Sequence, residues 1–348
     1  MTAYGSISRR GIAAAGNWIV DRVKMIDRLP GRGMLGSILS ETRATGGAPA
    51  SVLMDLARMG APFPLAGWGA VGRDADGEFM RESARALGID VSGVTVVEDA
   101  PTSYTDVMCE VGSGDRTFFI CRGANSRFGP EHVAIDRLQC RLFHFGYILL
   151  LDRMDQPHDS CGTVAASLLQ AVRAAGIRTS VDVVSEDSDR FRRLVPPALR
   201  HTDYLIVNEI EAARVTGRTV RRGDGSLDGP ELARAVEALY EFGDMELVAV
   251  HMPEGAYMRD RQGRRVSLGS FVLPDGFIQG TVGAGDAFCA GMLYAIHEGL
   301  GYEVAGEMGM ACATACLSHC SATEGVTSIA EMRRRVERFS RRPPPVDL

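Results

Sequence analysis

Lysine is almost missing from this chain. Of 38 basic residues in 348, Lys24 is the one lysine and arginine supplies the other 37. That excludes mechanisms needing a lysine elsewhere: there is no GxxxxGK[ST] phosphate loop and no VAIK-type kinase lysine, and a Schiff base could form only at Lys24. Net positive charge is missing too. The balance of 38 basic and 44 acidic residues is −6, so nothing draws the chain to nucleic acid or to an anionic membrane. Aromatic content is low, at 7%, and no run approaches the ~18 apolar residues of a membrane span. The eight cysteines contain no CxxC pair, which points to reduced thiols in a cytoplasm. Cys312, Cys316 and Cys320 recur every four residues on one helix face, a spacing that suits small residues packing a helix against a sheet. Arg9-Arg10 before the apolar run Gly11–Val20 loosely imitates a twin-arginine export signal. Asn17 interrupts that run and Asp21-Arg22 close it, so a first buried strand is expected instead.

What is present is an alternation of apolar runs with segments of helical period. Strands are expected at Gly11–Val20, Pro64–Trp68, Leu142–Leu151, Arg178–Val184, Tyr204–Val207 and Leu247–His251. Helices are expected at Ala50–Met59, Asp76–Leu87, Gly162–Ala175, Glu209–Val215, Pro230–Phe242, Ala284–Glu298, Tyr302–Ser318 and Ile329–Phe339. This βαβ order implies an α/β fold, a mainly parallel sheet with helices on both faces. Two segments break it. Gly36–Thr42 reads as extended, and Pro101–Cys121 reads as two alternating strands around a turn at Gly112–Asp115, so a small antiparallel sheet is expected beside the main one, a candidate lid.

Gly283-Ala284-Gly285-Asp286 opens a segment in which Phe288, Met292, Ile296 and Leu300 fall four apart, so a helix starts near Ala284. Its first turn carries unpaired N–H groups and the positive end of the dipole, and the glycines let an anion approach closely. Asp286 then lies beside any bound phosphate, able to accept a proton from an attacking hydroxyl. Asn208 with Glu211 three residues on either places Mg²⁺ and its waters or forms a capping box that needs no ligand. Gly46-Gly47 either cradles a polyol or forms a plain turn. Asp21 is expected at the end of the first strand, where ligands bind in open α/β folds, or is a surface charge. Gly67-Trp68-Gly69-Ala70-Val71-Gly72 is a literal GxGxxG with Asp90 beyond it, the mark of an NAD-dependent oxidoreductase. The polar segment that follows it argues against that alternative.

Together these positions resemble the ribokinase family of sugar kinases, the PfkB carbohydrate kinases, from Gly16 to about Ser328. The motifs are Gly16…Asp21, Gly46-Gly47, Gly69-x-x-Gly72-x-Asp74-x-x-Gly77, Gly123-Ala124-Asn125, Asn208-x-x-Glu211 and Gly283-Ala-Gly-Asp286. The resemblance implies a three-layer α/β/α kinase domain over residues 10–340. Lid segments would be inserted at about 33–45 and 97–123, with a flexible tail at 341–348. It implies transfer of a phosphoryl group from ATP to a hydroxyl, usually a primary alcohol of a sugar. Asp286 would be the general base and the amides of Gly283, Ala284 and Gly285 the anion hole. Asp21, Gly46, Gly47, Ser51 and Asn125 would contact the sugar. Asn208, Glu211, His251, Gly255 and Thr281 would border the nucleotide, with Asn208 and Glu211 holding Mg²⁺ through water. A homodimer through the lid is also implied. Ile19, Ser51 and Gly280 stand where the family often has Asn, Asn and Asp, and His251-Met-Pro253-Glu-Gly255 replaces a Thr-x-Gly. These departures leave open the sugar, K⁺ activation and the nucleotide contacts. A nucleoside kinase of the same family and a sugar-binding protein without turnover are the alternatives.

Overall fold

The computed structural model describes residues 9–112 and 116–348. The apolar start of the chain is two strands rather than one. Strand β1 (Ile12–Gly16) belongs to the large sheet, and after Asn17-Trp18 the chain enters β2 (Ile19–Ile26) in a smaller one. The split falls where Asn125 grips the chain: its Oδ1 accepts from Trp18 N–H at 3.2 Å and its Nδ2 donates to Trp18 C=O at 3.3 Å. Next come β3 (Ile38–Gly46), α1 (Ala48–Arg58), β4 (Leu65–Gly72), α2 (Ala75–Ala86) and β5 (Asp90–Val97). Strands β6 (Ser103–Glu110) and β7 (Arg116–Cys121) complete the smaller sheet. The turn expected between them lies, beyond Gly112, outside the described residues.

The second half begins with β8 (Leu142–Ile148), a short ladder of β9 (Pro157–His158) and β10 (Gly162–Thr163), α3 (Val164–Ala174) and β11 (Arg178–Val183). It continues through α4 (Phe191–Leu199), β12 (Tyr204–Asn208), α5 (Glu209–Thr216), α6 (Gly229–Leu239) and β13 (Leu247–Met252). A hairpin, β14 (Gly255–Asp260) and β15 (Arg265–Gly269), precedes α7 (Ala284–Glu298), α8 (Tyr302–Leu317) and α9 (Ile329–Val336).

The nine-stranded sheet runs β15-β14-β13-β12-β11-β8-β1-β4-β5, parallel except at the β14/β15 end. Its central strands are buried on both faces, and successive residues supply opposite cores. Ile12, Ala14, Tyr204 and Ile206 pack with α1, α7 and α8, while Ala13, Ala15, Leu205 and Val207 pack with α3 to α6. The result is the expected three-layer α/β/α arrangement. The four-stranded sheet, order β3-β2-β6-β7, is antiparallel in its two outer pairs and parallel in its central one.

The GxGxxG run is not a nucleotide loop. It lies inside β4, where the glycines make room for indoles: a Cβ on Gly67 or Gly69 would collide with the Trp18 ring. Asp90 opens β5 at the far end of the sheet, paired in register with Ala66. Both facts remove the NAD reading. The tail at 341–348, expected to be flexible, is held against the body of the protein. Arg341 bridges to Phe271 and donates to Gly269 C=O at 2.9 Å, Val346 N–H donates to Ser267 Oγ at 3.1 Å, and the Val346 side chain is buried. Cys312 and Cys316 are buried in α8, but Cys320 is exposed beyond its end, so the three do not share a helix face. No helix among the described residues is long and apolar enough to cross a membrane.

Candidate active site

Parallel strands deliver their carboxyl ends to one edge, and four of them meet the start of α7 there. Tyr147 comes from the end of β8, Asp182 from β11, Asn208 from β12 and His251 from β13. The small sheet adds Ile19 and Asp21 from β2, Gly46 from β3, Thr105 from β6, and Phe118 and Ile120 from β7. All line one cavity of about 540 Å³, together with Gly47, Ser51, Glu186, Glu211, Gly283, Gly285 and Asp286.

Helix α7 begins where its glycines allow. Gly283 is the N-cap at φ +79°, the left-handed region, and a Cβ there would run into Ala322. The helical ladder starts with Ala287 N–H donating to Gly283 C=O at 2.8 Å. The amides of Gly285 and Asp286 therefore precede it and have no intrahelical acceptor. Ala284 N–H leans back on Thr281 C=O at 3.4 Å, so of the expected Gly283-Ala284-Gly285 amides it is the one already engaged. Gly285 also lets the helix close on β13: a Cβ on it would lie 3.1 Å from His251 Cε1.

Asp286 sits in this first turn, 8% exposed, and accepts from the Tyr147 hydroxyl at 2.8 Å. Burial pushes its carboxyl up to about 7, and the charge of Asp182 adds to the rise. Asp21 is also pushed up to about 7, by burial against a smaller opposing effect of the Thr105 hydroxyl. Asp182, at the end of an apolar strand, lies 3.5 Å from His144 Nε2, has one buried oxygen without a partner, and is likewise raised by burial. With Glu186 and Glu211, five carboxylates line the cavity. The one guanidinium among the described lining residues, Arg122, is taken up by Asp152 at 2.6 Å and Glu186 at 3.7 Å. A pocket so built favours a cation or a cation-bearing ligand over a bare anion.

Asn208 and Glu211 form the capping box: Glu211 N–H donates to Asn208 Oδ1 at 2.8 Å, and Asn208 N–H to Glu211 Oε2 at 2.9 Å. Both residues also line the cavity, so capping and ligand contact are compatible. Glu211 accepts a further bond from Ser185 Oγ at 2.7 Å, yet burial holds its carboxyl up at about 8. No three ligating side chains converge on a metal position among the described residues. The donors present are hard carboxylate oxygens with lone pairs to spare, and one is orphaned on Asp182. That fits Mg²⁺ carried mostly by water and by a ligand's phosphates.

Other expected site residues fall elsewhere. Asn125 is buried with its amide spent on Trp18, and it does not reach the cavity. Gly255 is a hairpin glycine whose Cβ would strike Leu268 C=O, away from the cavity. Thr281 lies just outside the lining and accepts from Arg116 Nη1 at 3.1 Å. His251 reaches the cavity, but burial lowers it to about 4, so it is a neutral ring packed on Phe288. Asp21 lies in the third position of β2, on the lid, rather than at the end of a core strand. Ser51 and Gly46 line the cavity, and Gly46 backs directly onto the Asp21 carboxylate. Asp182, Thr105 and the small-sheet side chain Ile120 line the cavity with no sequence motif to single them out. An aspartate inside the apolar run Arg178–Val184 is the signal that could have revealed the first.

Comparison with known proteins agrees with this fold. The family model "pfkB family carbohydrate kinase" matches residues 11–329. A ribokinase of Arabidopsis thaliana is 27% identical over 297 residues, 84% of this chain and 72% of the relative. An ATP-dependent ribose-1-phosphate kinase of Halopiger xanaduensis is 27% identical over 284 residues, 80% of this chain and 81% of the relative. Among solved structures, Arabidopsis thaliana ribokinase complexed with ribose and ATP superposes with a TM-score of 0.77 at 22% identity, covering 95% of this chain and 99% of that one.

Proposed function

The chain belongs to the pfkB family of carbohydrate kinases, and from that premise we propose that it transfers the terminal phosphoryl group of ATP to a primary hydroxyl of a sugar or sugar-like polyol. The relatives' names, ribokinase, ATP-dependent ribose-1-phosphate kinase and fructokinase, support ATP as donor and a sugar-class acceptor. The observation that carries the reading is Asp286, a buried carboxyl in the first turn of α7, held by Tyr147 beside open amides in a cavity roofed by the lid.

In this reading the polyol binds under the lid. Asp21 accepts from its hydroxyls, and the bare edges of Gly46 and Gly47 let it approach the backbone. The Tyr147 hydroxyl occupies Asp286 Oδ1, so Oδ2 is the oxygen that takes the proton from the attacking hydroxyl. The amides of Gly285 and Asp286 receive the transferring phosphoryl oxygens, aided by the positive end of α7. Asn208, Glu211 and Asp182 would hold Mg²⁺ through water, and that ion supplies charge neutralisation to the phosphates. Phosphoryl transfer demands alignment and charge stabilisation more than covalent chemistry, so an almost lysine-free chain can perform it. Ile38 and Leu39 are exposed on β3, the edge of the small sheet, and support a dimer through the lid.

ADP release with Mg·ATP against a panel of pentoses, hexoses, sugar acids and nucleosides tests the reading. Turnover of a neutral sugar is expected. Turnover of nucleosides alone would shift the assignment to the second reading, for which Phe118 offers an aromatic face in the cavity. ATP binding with no turnover of any acceptor would point to a silent binder.

A further inference from the structure

A triphosphate at the mouth of α7 keeps net negative charge even with one Mg²⁺ bound, and two amides and a helix terminus meet it only in part. The obvious cations are committed elsewhere. Lys24 is ion-paired to Asp106 and lies 3.8 Å from Glu41, and Arg122 is held by Asp152. One guanidinium reaches the amide-bearing loop itself. Arg116, at the start of β7, donates through Nη1 to Thr281 Oγ1 at 3.1 Å, two residues before Gly283. It does so across the gap between the lid and the large sheet.

Two independent features place it there. Side chains alternate along a strand, so Arg116, Phe118 and Ile120 share one face of β7. Phe118 and Ile120 line the cavity, so Arg116 points the same way, nearer the strand's beginning. The loop has also made room. A Cβ on Gly280 would lie 3.2 Å from Arg116 Nη2 while pressing on the backbone of His319 and Cys320. The missing side chain at 280 is thus the space the guanidinium uses.

Resting on the kinase reading above, we propose that Arg116 is a ligand of the nucleotide's terminal phosphate, brought by the lid to the start of α7 and housed by Gly280. Its planar fork suits a phosphate, and the Thr281 hydroxyl holds it in place until one binds. The lid thereby couples shielding of the acceptor to completion of the phosphate site.

Calorimetric titration of the full chain with Mg·AMP-PNP and with Mg·ADP reads this without any acceptor. Arg116→Ala is expected to weaken Mg·AMP-PNP about tenfold or more, as loss of a charge-assisted contact does, and Mg·ADP by less than about twofold. Arg116→Lys should recover part of the loss, and Gly280→Val, which crowds the guanidinium, should reproduce it. Equal weakening of both nucleotides, or unchanged Mg·AMP-PNP binding, overturns the role of Arg116 and leaves the kinase reading standing. Failure of the unsubstituted protein to bind either nucleotide overturns both.

Discussion

The two edges of the large sheet bury acidic groups in opposite ways. At the amino edge, Asp203 precedes β12 and is 3% exposed. It accepts from Thr179 N–H at 2.8 Å and Thr179 Oγ1 at 3.2 Å, with Arg173 at 3.2 Å and Arg178 at 3.6 Å. Asp260, 1% exposed on the same edge, is met by Arg264 Nε at 2.5 Å and its backbone N–H at 2.9 Å. At the carboxyl edge, Asp21, Asp182, Glu211 and Asp286 share a cavity without a matching cation, and burial raises all four. A buried charge that serves the fold is paired where it stands. One left unpaired is destabilising in the empty protein, and an active site is where such a cost is met by the ligand.

The comparison can be broken first at the amides. Gly283→Ala forces a Cβ into Ala322 from a left-handed backbone, and loss of a donor set of this kind lowers kcat by ~10²–10³. A kcat within threefold of the parent would mean that the open turn of α7 is not the phosphoryl site. On the other edge, Asp203→Asn should cost about 2–3 kcal/mol in denaturant unfolding, the worth of hydrogen bonds to a charged group, and leave kcat alone. A drop in kcat without loss of stability would erase the distinction between the edges. Glu211→Ala should raise the Mg²⁺ needed for half-maximal activity about tenfold, as removal of an outer metal contact does. An unchanged Mg²⁺ titration would make Asn208 and Glu211 a helix cap and nothing more.

The smallest effect is on stability against pH. Carboxyls raised on folding favour the folded state fully while protonated in both states, below an unfolded value of about 4. That contribution is lost as pH climbs through about 7 for Asp21 and Asp286 and about 8 for Glu211. Melting temperature should therefore decline across that interval, and less steeply in Asp21→Asn. Identical slopes in the two proteins would show that Asp21 stays ionised in the folded chain.

Much of this architecture was legible because periodicity reports burial directly. The stripe through Phe288, Met292 and Ile296 announced α7, and the glycines before it announced its open end. The capping box at Asn208 was equally plain. Helix α4 was hidden by Pro196 and Pro197, which remove two N–H donors; burial of Phe191, Leu194, Val195, Ala198 and Leu199 outweighs that loss. Strands β14 and β15 went unseen because short strands beside turns leave little pattern to count, and β5 because Asp90, Ser92, Gly93 and Thr95 interrupt its valines. The lid drew the first two residues of β2 from the run Gly11–Val20, and the break at Asn17-Trp18 is fixed by the distant Asn125. For the same reason Asp182, Tyr147 and Asp21 could not be grouped in advance: Asp182 lies 161 positions after Asp21, and only the sheet topology makes them neighbours.

Steady-state ADP formation by Asp286→Asn beside the parent enzyme, with Mg·ATP and the best acceptor at saturation, tests the central claim most directly. A fall in kcat of ~10²–10⁴, with Mg·ATP affinity held, is the result expected of a lost general base. A variant that turns over at the parent's rate would contradict the account, because no other carboxyl at the mouth of α7 lies in its first turn.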